Sequence, residues 1–234
     1  MRAGTSYVMF EDRIGGGRAL AEELREYAGR RDVVVLGLPR GGVPVAAEVA
    51  ERLRAPLDIW LVRKLGVPGH PEFAMGAISS GGVVEVDEAV VRELHIHIPA
   101  VLEVVRRERA ELARRELAYR RGRVPPRLAG KTVIVVDDGM ATGSTMHAVV
   151  SSLRKHSPAR IVAAAPVASR QAFSDLERHA DACVCASCPE PFDAVGCFYA
   201  DFAPTTDEQV VECLDRLDRL DRIAPARKGS PDSE

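Results

Sequence analysis

Short apolar runs at residues 33–38, 57–62, 131–136, 160–166 and 182–185 read as strands, and they are too continuous to leave one face in water. Between them lie helically spaced apolar positions at 14–30, 43–53, 144–156 and 171–179, and a last, acidic helical stretch at 207–223. This alternation predicts right-handed crossovers and a parallel sheet with helices on both faces. Residues 74–79 and 83–86 read as a hairpin around Ser80-Gly81-Gly82, and Asp87 as the cap of a short helix. Residues 99–121 read as a long charged helix, the body of a helical insertion at about 88–125. The stretch 63–72 holds two glycines and two prolines and is expected to be a mobile loop. Gly15 to Gly17 are expected to make a turn ahead of the first helix, and residues 228–234 to fray.

Composition narrows the class. The chain has 234 residues, 46% of them hydrophobic, enough to build a large core without disulfide staples. A net charge of −2 with 28% charged residues excludes a globally basic nucleic-acid binder and argues against disorder. Four of the 32 basic residues are lysines, so arginine is the default cation. Residues 1–12 contain no apolar core of a signal sequence, and no apolar run is long enough to cross a membrane. The five cysteines are therefore expected as reduced thiols in a cytoplasmic protein.

Three tempting features are discounted. Residues 106–127 carry nine arginines against three glutamates, the pattern of an RNA-binding face. Interleaving at Arg107/Glu111 and Glu111/Arg115, with Tyr119 as the sole aromatic, instead suits a solvated or packing helix. Cys183, Cys185, Cys188 and Cys197 lack zinc-ribbon spacing, and His95 and His97 have no third ligand close in sequence.

Candidate chemistry concentrates at residues 133–145, VIVVDDGMATGST. A buried strand delivers two adjacent carboxylates, Asp137 and Asp138, to its C-terminal end. A loop of small and hydroxyl residues, Ala141 to Thr145, then opens a helix. Such a loop turns consecutive backbone amides outward at the positive end of the helix dipole, which makes an anion site. Gly143 allows close backbone approach, and Thr142, Ser144 and Thr145 add hydroxyls. Carboxylates beside an anion site suit sugar hydroxyls or a hard divalent cation such as Mg²⁺.

This segment closely resembles the phosphoribosyl-diphosphate (PRPP) motif of type I phosphoribosyltransferases. Two more stretches are similar to the same family: VVLGLPRGG at 34–42, resembling its pyrophosphate loop, and Arg63-Lys64, at the place of its flexible catalytic loop. The resemblance covers about 33–166 and is nearest to a subgroup bearing L-P-R-G-G and V-R-K-L-G. It implies an α/β fold with a central parallel sheet flanked by helices, and a single domain over 1–234. The hood that meets the acceptor would come from the N-terminal segment and 182–223.

The resemblance further implies transfer of a 5-phosphoribosyl group from PRPP, with Mg²⁺ as cofactor, to an unidentified nucleobase or related amine, with release of pyrophosphate. Ala141, Thr142, Gly143, Ser144 and Thr145 would hold the 5-phosphate, and Arg40, Gly41 and Gly42 the pyrophosphate. Arg63, Lys64, Asp137 and Asp138 would be catalytic, with the two aspartates meeting the metal indirectly, through ribose hydroxyls or water. A non-proline cis bond is implied at Pro39–Arg40. Ala141 replaces the aspartate that marks 6-oxopurine enzymes, as in adenine enzymes, so the acceptor is left open, and with it self-association. A PRPP-sensing regulator, or a nucleic-acid-binding protein of the same fold without transferase activity, is the alternative reading. Retention of both Arg63 and Lys64 favours the enzyme.

Overall fold

The structure, a computed structural model, describes residues 10–223, with the backbone alone for 220–223. The expected frayed tail and most of the 1–12 segment lie outside the described residues. In chain order the elements are α1 (Arg13–Glu23), β1 (Val33–Gly37), α2 (Gly42–Leu53), β2 (Leu57–Ile59), β3 (Val62–Val67), β4 (His70–Ser79), β5 (Val84–Val86), α3 (Glu88–Glu93) and α4 (Ile98–Arg120). They continue with β6 (Thr132–Val136), α5 (Ser144–Arg154), β7 (Arg160–Val167), α6 (Arg170–Leu176), β8 (Ala182–Ser187) and α7 (Asp207–Ile223).

A five-stranded parallel sheet of order β2-β1-β6-β7-β8 forms the centre. β1 and β6 are buried along their whole lengths, which is why their sequences show apolar runs rather than alternation. Residues of α1 and α2 pack on one face of the sheet, around Leu20, Leu24, Val49 and Leu53. Residues of α5 and α6 pack on the other, around Met146, Val150, Leu153 and Leu176. β2 lies on one side of β1 and β6 on the other, so the order reverses between β1 and β6. Open α/β sheets bind ligands in the crevice outside the carboxyl ends of the strands at such a point.

Two expectations are corrected. The stretch 63–72 is a hairpin rather than a mobile loop: β3 and β4 pair antiparallel and turn at Pro68-Gly69, with Leu65, Val67 and Met75 buried in the core that α4 closes. Its glycine and proline serve that pairing, since a Cβ on Gly66 would stand 2.8 Å from Pro71 Cα. Gly15 to Gly17 lie inside α1, which Asp12 caps by accepting from the Gly15 amide at 2.8 Å. A Cβ on Gly17 would meet Val45 O of α2 at 2.8 Å, so the glycines let two helices approach closely. Residues 182–187, read as a strand at 182–185 and also counted into the start of the hood, form the edge strand of the central sheet, paired with β7.

β3, β4 and β5 make a separate small antiparallel sheet, with β4 and β5 paired as expected around residues 80–82. α4 covers it and is pinned to the main sheet by a buried ion pair, Arg120 Nε to Asp58 Oδ2 at 3.1 Å. Arg120 also donates to Ile59 O. The arginine-rich helix is a packing helix: Glu111 is shared between Arg114 and Arg115 on its surface. No helix among the described residues is long and apolar enough to cross a membrane.

Candidate active site

Two strand ends build the site. β1 leaves the sheet at Gly37 and reaches α2 through Leu38-Pro39-Arg40-Gly41. The Pro39–Arg40 bond is cis, as the resemblance implied. β6 leaves at Val136 into Asp137-Asp138, and the chain then crosses to the end of β7, where Met140 accepts from the Ser169 amide and donates to Val167 O.

The first loop is pressed onto the acidic pair. A Cβ on Gly41 would fall 2.0 Å from Asp138 Oδ2, and one on Gly42 would fall 2.6 Å from Val136 O and 2.8 Å from Asp137 Cα. Close approach of backbone to strand end therefore requires glycine at both positions, whatever the loop binds. Arg40 is exposed at the rim, 3.8 Å from Asp207 at the start of α7.

Asp137 accepts the Asp138 amide at 2.9 Å. Burial, then the charge of Asp138, pushes the Asp137 carboxyl from 3.8 up to about 7. Burial also raises Asp138, against the pull of Arg13, whose Nε donates to Asp138 Oδ2 at 2.9 Å. Arg13 is anchored in turn: it donates to Ala203 O at 2.8 Å and its guanidinium lies 3.9 Å from the centre of the Phe202 ring. Tyr199 stacks on Phe202 and donates to Asp138 O at 2.6 Å.

The cradle follows. Gly143 adopts φ 73°, the left-handed region, where glycine avoids the cost other residues would carry. The first helical bond of α5 runs from the His147 amide to Gly143 O, so the amides of residues 144–146 have no intrahelical acceptor. Ser144 N meets only Thr142 Oγ1 at 3.4 Å, and Ala141, Thr142, Ser144 and Thr145 are exposed. Ser169, which caps α6, donates to Ala141 O at 2.6 Å and fixes the loop from behind. The helix thus opens on a surface of unclaimed donors. It can hold an anion.

The structure brings together Arg40 to Gly42, Asp137, Asp138 and Ala141 to Thr145 at the β1/β6 crevice. It does not bring Arg63 and Lys64 into contact with them. Both sit on β3, where Arg63 is held by Glu108 of α4 at 2.6 Å. Burial acts to raise the Glu108 carboxyl, but the Arg63 and Arg107 hydrogen bonds outweigh it and keep it low. Lys64 is exposed, and no acid pairs with it among the described residues. Arg13, Tyr199 and Glu108 were missed by sequence reasoning. Arg13 stands 125 positions from its acid and no motif marks it.

A family model described as the phosphoribosyl transferase domain matches residues 10–197. The chain belongs to the phosphoribosyl transferase family. Two Mycobacterium tuberculosis proteins, from strains CDC 1551 and H37Rv and provisionally named phosphoribosyl transferases, are each 46% identical to it over 224 residues, 96% of the chain and 50% of the relative. The chain thus spans about half the length of these curated relatives. The solved structure of TT1426 from Thermus thermophilus is 43% identical, with a TM-score of 0.78, covering 89% of this chain and 99% of that one. The architecture is the one expected of the type I family: a central parallel sheet flanked by helices and a separate small antiparallel sheet.

Proposed function

We propose that this phosphoribosyl transferase moves the 5-phosphoribosyl group of PRPP to a nucleobase or related amine and releases pyrophosphate. The observation that carries the reading is the junction of an anion cradle and an acidic pair at one topological switch point. Ala141 to Thr145 take the 5-phosphate on the free amides of α5. Asp137 and Asp138 accept hydrogen bonds from the ribose 2- and 3-hydroxyls. Arg40 and the Gly41 amide hold the diphosphate, with Lys64 and Arg63 adding charge from β3; the Gly42 amide already donates to Leu38 O at 3.0 Å, so Gly42 serves by letting the loop close on the strand end. Arg63 must first exchange Glu108 for the ligand.

Mg²⁺ fits the donor set. Asp137 and Asp138 are adjacent carboxylates, and of the two only Asp138 is paired with a guanidinium, that of Arg13 at 2.9 Å. No cluster of three protein ligands exists among the described residues, so water and substrate oxygens would complete the coordination. When bound, the ion would offset the charge of the diphosphate. Cleavage at C1 develops an oxocarbenium ion, and the chain's part is positioning and leaving-group stabilisation. The hood is assigned to the segment around Arg13 and to residues 188–223, and the whole unit to the cytoplasm.

The test is PRPP-dependent pyrophosphate release across a panel of nucleobases and amines, with Asp137→Asn/Asp138→Asn as control. Release with one acceptor, lost in the double variant, is expected. PRPP binding with no release for any acceptor would replace the enzyme by the sensor, and no PRPP binding would end the reading.

A further inference from the structure

β8 and the residue after it carry a pair of thiols that the phosphoribosyl site does not use: Cys185 and Cys188, spaced C-x-x-C. Their Sγ atoms are 2.7 Å apart, within thiol hydrogen-bond distance and close to the about 2.0 Å of a disulfide. Both are free and half-buried against the α5 and α6 side of the sheet. The backbone between them is tied down, since Ser187 O accepts from the Ala168 amide at 3.1 Å. The pairing of β8 with β7 thus fixes the backbone that carries Cys185 and leads into Cys188.

The two thiols are not equivalent. The hydrogen bond from Cys185 holds the Cys188 thiol below its usual value; burial opposes this, and the Arg170 guanidinium assists. Glu177 acts against ionisation at this end, and Glu190 shares Arg170 at 2.6 Å. The same hydrogen bond, with burial, raises Cys185. This asymmetry separates an attacking thiol from a resolving one. Cys183, on the same face of β8, is pushed up to about 12 by burial and is a poor competitor. Metal capture is not supported, since no group of three metal-ligating side chains occurs among the described residues.

We propose that Cys185 and Cys188 form a redox-active dithiol that takes low-molecular-weight disulfides as its oxidant. Cys188, as thiolate, attacks one sulfur of the small disulfide, whose S–S bond breaks and releases a thiolate. Cys185 loses its proton, attacks Cys188 Sγ in the mixed disulfide and expels the second thiolate. Two electrons pass to the oxidant, the two protein protons end on the departing thiols, and one intramolecular disulfide and two small thiols result. A reducing thiol reverses each step.

The test uses the full chain. It is incubated with glutathione disulfide at mildly alkaline pH, alkylated with iodoacetamide and mapped as peptides without reduction. Fragmentation of the peptide holding Cys183, Cys185 and Cys188 should show Cys185 and Cys188 unalkylated and together two hydrogens lighter, with no crosslink at Cys183, and the pair should revert with dithiothreitol. In Cys185→Ser the reaction should stop at a glutathione adduct on Cys188, and in Cys188→Ser no adduct should form at this pair. Alkylation of both wild-type thiols after oxidation would overturn the proposal, and so would a crosslink to Cys183 or Cys197. The wild-type map decides on its own if a variant does not fold.

Discussion

Replacing Gly42 by alanine tests the packing of the 38–41 loop on the acidic strand end. The added Cβ would stand 2.6 Å from Val136 O and 2.8 Å from Asp137 Cα. Both neighbours are backbone, so no side chain can rotate away. Restoring van der Waals contact requires the loop and β6 to separate by about 0.8 Å. Overpacking of this kind costs about 1–3 kcal/mol, and helix propensity returns at most about 1 kcal/mol, because Gly42 opens α2. The net loss is about 1–2 kcal/mol, a fall in Tm of about 2–8 °C for a chain of this size. Gly15→Ala is the control: its Cβ would meet Asp12 Oδ1 at an ordinary 3.6 Å inside α1, so stability should hold or rise. Calorimetry of both variants, with PRPP-dependent turnover, is the assay. Turnover in Gly42→Ala should fall by about 100-fold, because the two halves of the site no longer meet at the right distance. A Tm equal to or above that of the wild type would refute the close-approach argument. Lost turnover at an unchanged Tm would shift the role of Gly42 to the ligand.

Asp137→Asn should stabilise the ligand-free protein in chelator near pH 8, because the native carboxyl is held at about 7 against 3.8 unfolded. Folding therefore loses stability as pH rises from about 4 to 7, a span worth about 4 kcal/mol in full and about 2 after solvent screening at the cleft mouth. Urea titrations should show the gain vanish below about pH 4, and a variant weaker than wild type at pH 8 would contradict it. Arg13→Met removes the cation beside Asp138 and should cost about 3 kcal/mol near pH 8 and less in acid, where Asp138 is neutral. Equal losses at both pH values would mean that packing on Phe202, not charge, is what Arg13 supplies. Lys64→Ala should leave Tm unchanged, since Lys64 is exposed, while lowering turnover with PRPP. Unaltered kinetics would remove Lys64 from the site.

Local order along the chain determined a good deal. Apolar runs at 33–38 and 131–136 specify buried strands because strands covered on both faces tolerate no polar positions. The cradle at 141–145 was legible because strand, small-residue loop and helix are contiguous, and a helix N-terminus carries its donors with it. The cationic stretch 63–72 was misread: glycine and proline signal irregular backbone, but whether a hairpin buries Leu65 and Val67 depends on α4 arriving over it. Residues 182–185 were legible as a strand, and their pairing with the β7 edge extends that strand to Ser187. The chain order could not reveal Arg13 beside Asp138, or Glu108 holding Arg63, since charges far apart in sequence meet only when helices dock. Sequence determined which backbone amides a helix start leaves free, because that property is local. Tertiary structure decided which charges they face and which glycines must stay bare, because electrostatics and close packing act through space.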